Sequence, residues 1–372
     1  MTGETGAALN RRNFFALPLG LLAATQSHRA QAIEFPAVVP GRMLRFPEDE
    51  GAHPDFRIEW WYVTGFVFDS ASNPLGFQVT LFRNRAVDSG GNPSRFAPEQ
   101  LIVAHAALSD PQRGRLLHDQ QLARSGFGLA GAATGMTDAR LGGWRLVAAG
   151  ESFRARTASR EFSIDLTMRR TQPPLLHGDQ GFSRKGPGHG AASYYYSLPQ
   201  LAVEGEVGAG GKSRHVTGTA WLDHEWSSAA MALQATGWDW IGINLDDGGA
   251  LMAFRIRGGA RAAQSSGAAL WSGATLRTAD GRMRTYAPEQ VTWTPVRQWR
   301  STRTEATYPV AWRVAVGDLV IDLEPLMDDQ ELDARASTGT IYWEGAVTAR
   351  SAGRIVGRGY LELTGYWRAF RL

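Results

Sequence analysis

From Glu59 to Leu363 the chain is a succession of short segments in which apolar and polar side chains alternate, and this period of two constrains the fold more than any other feature. Glu59-Trp60-Trp61-Tyr62-Val63-Thr64-Gly65-Phe66-Val67-Phe68 is rich in β-branched and aromatic residues and ends at Asp69-Ser70 and Asn73-Pro74. Gly76 to Arg83 then runs back, which predicts a hairpin. The pattern returns over 101–108, 144–148, 162–168, 216–221, 238–245, 250–257, 312–316, 319–323, 342–349 and 359–363, punctuated by Asp-Gly, Gly-Gly and Asn-Pro. Helical periodicity is scarce, and a short helix is expected at most near Ser227 to Ala235. Many strands without alternating helices predict an all-β antiparallel sandwich or barrel and exclude a dinucleotide fold. The length beyond residue 32 exceeds one small barrel. Two β domains are therefore expected, 33–230 and 231–372, with the break between Ser227 and Gly237. Gly205 to Gly211 reads as a hairpin turn within the first.

The 13 tryptophans and 43 glycines suit many turns and wide apolar surfaces. The absence of cysteine excludes disulfide scaffolds, thiolate metal sites and cysteine nucleophiles. At the start, Asn10-Arg11-Arg12-Asn13-Phe14-Phe15, a short apolar run to Ala24 and Ala30-Gln31-Ala32 have the order of a twin-arginine export signal with its cleavage site. Residues 1–32 are thus expected to be a leader and the mature protein to be soluble, in the periplasm or secreted. Losing them removes three arginines and one glutamate, leaving a nearly neutral chain with no charge for a nucleic-acid partner.

Nucleophile-elbow, Walker, zinc-helix and Rossmann motifs are absent. The histidines are scattered without close metal-ligand pairs, so neither a metal nor another cofactor is expected. The densest polar cluster in an apolar setting is Trp221-Leu222-Asp223-His224-Glu225-Trp226-Ser227-Ser228. In an extended chain Asp223 and Glu225 share one face, His224 and Trp226 the other. Two readings stand: a proton-handling pocket wall with shifted pKa values, or a structural network in which His224 meets a carboxylate.

Gly237 to Gly248 is a second cluster. Asp239 lies between Trp238 and Trp240; Ile241, Ile243 and Leu245 take one side, Gly242, Asn244 and Asp246 the other. Asp247-Gly248-Gly249 reads as a turn, with Asp246 at the strand end. Glu59, Arg83 and His105 are charged or titratable residues on strands, where an inward group closes a barrel end or orients a polar head group. The run from Leu175 to Gly186, with His177, Asp179, Arg184 and Lys185, is read either as a loop closing over a ligand or as an ordered surface loop.

Glu59-Trp60-Trp61-Tyr62, Gly76 to Arg83, Leu175-Leu176-His177-Gly178, Asp223 to Ser228, Gly237-Trp238-Asp239-Trp240, Tyr342-Trp343-Glu344-Gly345 and Gly359 to Tyr366 together resemble the AttH-type lipocalin-like secreted proteins, related to the carotenoid 1,2-hydratases. The resemblance spans nearly the whole mature chain. It implies two consecutive lipocalin-like antiparallel β-barrel domains. The hydratase relatives add water to a terminal isoprenoid double bond without a cofactor, which requires a strong acid and surroundings that tolerate a carbocation. Their His-x-Trp pair matches His224 and Trp226, and their acidic residue matches Asp246, although Asn244 stands where they have tyrosine. On this basis Asp246 is expected to protonate, with His224, Trp226 and Asp223 beside it. Trp238, Trp240, Asn244, Trp61 and Arg83 are expected to bind an apolar or isoprenoid-like ligand. The competing expectations are a lipid carrier working with an envelope membrane transporter, and a hydrolase using water activated by His224 and Asp223.

Overall fold

The computed structural model describes residues 34–86, 94, 96–188, 190–258 and 269–370. The leader expected over residues 1–32 lies outside them. Alternation becomes strand throughout, and no α-helix occurs among the described residues.

One antiparallel sheet contains β1 (Ile58–Asp69), β2 (Pro74–Arg85), β3 (Gln100–Ser109), β4 (Leu116–Arg124), β5 (Ala130–Ala132), β6 (Asp138–Leu141), β7 (Trp144–Ala149), β8 (Ser152–Ala158), β9 (Phe162–Arg169), β10 (Leu175–Leu176), β11 (Phe182–Arg184), β12 (Ala192–Ala209) and β13 (Lys212–Ala229). Its order is β4-β3-β2-β1-β13-β12-β9-β8-β7-β6-β5, with β10 and β11 attached to β12. The outer strands β4 and β5 touch, so the sheet nearly closes into a barrel. The second sheet contains β14 (Ala235–Leu245), β15 (Ala250–Gly258), β16 (Ala269–Arg277), β17 (Met283–Tyr286), β18 (Val291–Arg300), β19 (Thr307–Val316), β20 (Leu319–Pro325), β21 (Glu331–Ala334), β22 (Thr340–Ser351) and β23 (Arg354–Thr364). Its order is β17-β16-β15-β14-β23-β22-β20-β19-β18, with β21 on β22.

Between Ala229 and Ala235 the chain turns; it does not form the short helix expected near Ser227 to Ala235. Ala, Met and Leu favour helix, but so short a stretch cannot offset the cost of nucleation. Pairing of Ala229 with Ala192 and of Ala235 with Gly258 draws both ends into strands. The turn expected at Gly205 to Gly211 is confined to Gly210 and Gly211, both at positive φ, while Gly205 to Gly208 lie within β12.

Each sheet wraps its own core. Val63, Leu81, Leu146, Ile164 and Leu222 belong to the first, and Ile241, Trp312, Trp343 and Leu361 to the second. A third apolar cluster joins them, with Tyr62, Tyr195 and Trp221 from the first sheet against Trp240, Phe254 and Tyr360 from the second. Each fully buried large apolar side chain contributes roughly 1.5–3 kcal/mol. Trp221 meets Trp240 edge-on over Gly242, where a Cβ would fall 2.6 Å from the Trp240 ring and 3.0 Å from Trp221. Glycine is what permits that approach. The segment before β1 packs on the first barrel: Trp61 Nε1 donates to the Glu50 carbonyl at 3.1 Å, and Tyr194 donates to the Val39 carbonyl at 3.0 Å.

Candidate active site between the two sheets

Alternation along β13 separates neighbouring residues into two environments. Asp223 and Glu225 point out of the first barrel toward the second sheet, and His224 and Trp226 are buried on its other face.

The outward face is built in transverse rows. Leu122, Val103, Phe82, Trp60 and Glu225 lie side by side on β4, β3, β2, β1 and β13. The next row holds Gln120, His105, Thr80, Tyr62 and Asp223. Opposite, the second sheet contributes Phe254, Trp240, Glu362 and Glu344 as one row across β15, β14, β23 and β22, followed by Ile256 beside Trp238 and Thr364 beside Tyr342. These two faces enclose a largely apolar cavity of about 400 Å³. That lies within the range of small-molecule sites.

Four carboxyl groups line it: Asp223, Glu225, Glu344 and Glu362. Burial pushes Asp223 up to about 7, against the hydrogen bonds it accepts from Ser197, Tyr195 and Trp221. Glu344 and Glu362 are cross-strand partners. Burial, then the neighbouring Glu362, holds Glu344 well above the usual carboxylate range, although Tyr62 donates to it at 2.7 Å. Burial raises Glu362 to about 7 despite a hydrogen bond from Trp238 Nε1 at 3.0 Å, and the charges of Asp223 and Glu225 act in the same upward direction. Two adjacent acids in an apolar setting resist simultaneous ionisation. Glu225 differs: the Lys185 ammonium lies 2.9 Å from it, and Ser193 donates to it. Tyr195 receives Trp240 Nε1 at 2.9 Å and donates to Asp223, a link between the sheets. Burial holds His105, at the cavity wall, down to about 3, and it is paired with Tyr342 and Ser337.

The inward face is a saturated ion network. Glu59 receives His224 Nε2 at 2.9 Å, His53 Nδ1 at 2.7 Å and Arg83 Nε at 2.7 Å. Burial alone would raise the Glu59 carboxyl, but hydrogen bonds from His224 and His53 hold it well below its usual range. Burial lowers His224, outweighing the opposing pull of Glu59. Burial would also lower His53, but hydrogen bonds to Asp49 and Glu59 raise it instead. His53, Glu59 and His224 bring three ligand-type atoms within 4.8 Å of one another. A guanidinium already occupies the same carboxylate, and a divalent cation there would face that charge.

Of the residues singled out in the sequence, Asp223, Trp238 and Trp240 line the cavity together. His224, Trp226 and Trp61 lie in the first barrel, where His53 stacks on Trp226 at 3.8 Å and Trp61 on His224 at 4.6 Å, and Arg83 belongs to the Glu59 network. Asn244 joins the sheets structurally, accepting from the Gln200 amide at 2.8 Å and donating to the Ala220 carbonyl at 3.1 Å. Asp246 is half-exposed beyond the end of β14 and accepts from Arg358 at 3.1 Å. The expected grouping of Asp246 with His224 and Trp226 is therefore corrected. Period-two geometry turns His224 and Trp226 away from the cavity, and six residues of strand carry Asp246 ~20 Å beyond Trp240. Glu344 and Glu362 were missed as acids. Their signal was a lone carboxylate between apolar neighbours, Trp343-Glu344-Gly345 and Leu361-Glu362-Leu363.

Two lipocalin-like antiparallel sheets, one of them nearly closed into a barrel, meet around an acid-lined cavity and define the class of protein. Residues 37–366 match the AttH-like family model, and the chain belongs to that family. An AttH structure from Nitrosomonas europaea is 52% identical, with a TM-score of 0.82 over 89% of this chain and 100% of that one. Kievitone hydratase from Nectria haematococca is 15% identical, with a TM-score of 0.67 over 90% of this chain and 97% of that one, and shares the fold. Comparison with curated proteins gave no match.

Proposed function

We propose that the protein hydrates a carbon–carbon double bond of an apolar, isoprenoid-like substrate in the cavity between its sheets, by acid–base catalysis without a cofactor. The observation that carries this reading is the pairing of Glu344 with Glu362 across from Asp223 and Glu225, inside walls of tryptophan and phenylalanine. Glu362, sharing a proton with Glu344, gives it to the less substituted alkene carbon. The π electrons form the new C–H bond and leave a tertiary carbocation, whose charge faces the rings of Trp60, Trp238 and Trp240. Glu225, held in its ion pair with Lys185, takes a proton from water as the water oxygen bonds to the cation. The product is a tertiary alcohol, and return of the proton from Glu225 to Glu362 restores the site. The hydratase name of the Nectria relative accords with this reading. Export through the twin-arginine leader remains part of the proposal.

The test is incubation with geranylacetone, which carries a terminal isoprenoid alkene, in heavy-oxygen water and deuterium oxide. The expected product is the tertiary alcohol with solvent oxygen and one new deuterium. Stoichiometric binding with no such product overturns hydration and leaves a carrier. Release of acid from esters, abolished in Asp223→Asn, would indicate the hydrolase reading instead.

A further inference from the structure

We propose that Lys185 anchors a neutral oxygen atom of the ligand. The cavity then selects molecules that combine an isoprenoid-like chain with one ketone, phenol or alcohol oxygen, in preference to plain hydrocarbons. This rests on the cavity being the substrate site.

The chain contains two lysines, Lys185 and Lys212. Lys212 is exposed at the start of β13, whereas Lys185 is buried and lines the cavity. A lysine ammonium rarely sits in such a place, because desolvating it costs several kcal/mol unless its donors are served. It has three N–H donors. A Glu225 oxygen lies 2.9 Å away and serves one. The ammonium also rests 4.5 Å from the Tyr195 ring centre and 4.4 Å from that of Phe254, one ring from each sheet. Ring faces attract the charge without offering a lone pair in the manner of an oxygen. An acceptor oxygen in the cavity would complete the shell. Holding Glu225 uses one donor of the ammonium, and hydration of a hydrocarbon gives the others nothing to bind, whereas a guest oxygen would.

The surrounding charge narrows the class. One ammonium stands among Asp223, Glu225, Glu344 and Glu362. The Lys185 charge is already met by Glu225, so a carboxylate- or phosphate-bearing lipid would be desolvated with no uncompensated cation to receive it, whereas a neutral carbonyl or hydroxyl would not carry that cost. A site that hydrogen-bonds a ligand oxygen also rejects the analogue lacking it, because its own polar group is then left unpaired.

The experiment compares two saturated probes, hexahydrofarnesylacetone and pristane, which differ by a carbonyl oxygen in place of a methyl group. Affinities are measured by competition with an apolar fluorophore for the wild type and for Lys185→Met/Glu225→Gln, which removes the ion pair without stranding either charge. The wild type is expected to favour the ketone. The double variant should lose about tenfold of that preference while binding pristane within about threefold of wild type. An unchanged ketone-to-hydrocarbon ratio overturns the proposal, as does failure of the wild type to bind either probe. Should the double variant not fold, Lys185→Gln is put to the same comparison, with the same two outcomes. Neither probe contains an alkene. Absence of hydration together with an intact ketone preference therefore sinks the hydratase reading alone.

Discussion

Asp223 and His224 are adjacent in sequence yet inhabit opposite chemistry. On the inner side of β13, His224 belongs to a network in which Glu59 is ionised and each charge meets a counter-charge. On the outer side, Asp223 faces Glu344 and Glu362 across an apolar cavity, and burial keeps these three acids protonated to near neutral pH. Both clusters are buried and polar, so burial alone does not identify a site. The difference is neutralisation. A network that pairs its charges fixes structure, whereas one that retains protons against an apolar hollow has protons to give.

Four substitutions probe that contrast. The largest expected effect is on Glu362→Gln, which removes the proposed donor. Turnover of geranylacetone should fall about 10²–10⁴-fold while the melting temperature stays near wild type. On the inner side, Arg83→Met leaves Glu59 buried beside fewer partners. Urea unfolding should show a loss of about 3–5 kcal/mol, with turnover per folded molecule unchanged. If Arg83→Met instead spares stability and abolishes turnover, the two faces have been assigned the wrong way round.

The third effect concerns pH. The acid form of Glu362 is the competent one, so the rate should fall about tenfold per unit above about pH 7. Stability moves the same way. A carboxyl raised in the folded state gives up protons more readily when unfolded, so stability that is intact below the ordinary carboxylate pKa is lost as pH rises through about 7. Asp223→Asn removes a charge that raises Glu362 and should move the falling limb of the rate profile to lower pH. A limb that does not move removes Glu362 as the group that sets it. The smallest effect is on Asp246→Asn. Its half-exposed pair with Arg358 should be worth less than about 0.5 kcal/mol, with turnover within about twofold of wild type.

Period-two alternation made the all-β fold legible, because strand geometry is local, and it also placed Asp223 and Glu225 opposite His224 and Trp226. It did not reveal which face of β13 looks into a barrel and which meets the second sheet. That depends on strands more than a hundred residues apart, such as β1 and β13. Trp238 and Trp240 were recognised from aromatic density, and they line the same cavity as Asp223. Asp246 was chosen by resemblance to the acid of the hydratases, and the end of β14 leaves it at the surface. Glu344 and Glu362 passed unremarked because each is an ordinary acid on its own strand. They become neighbouring acids only when β22 and β23 lie side by side.

The central claim is that the guest lies between the sheets. A crystal structure of the protein with hexahydrofarnesylacetone tests this most directly. The account predicts an apolar chain lying against Trp60, Trp238 and Trp240, with the carbonyl oxygen at Lys185. A chain found inside the first barrel beside His224, or on the outer surface near Asp246, would contradict it.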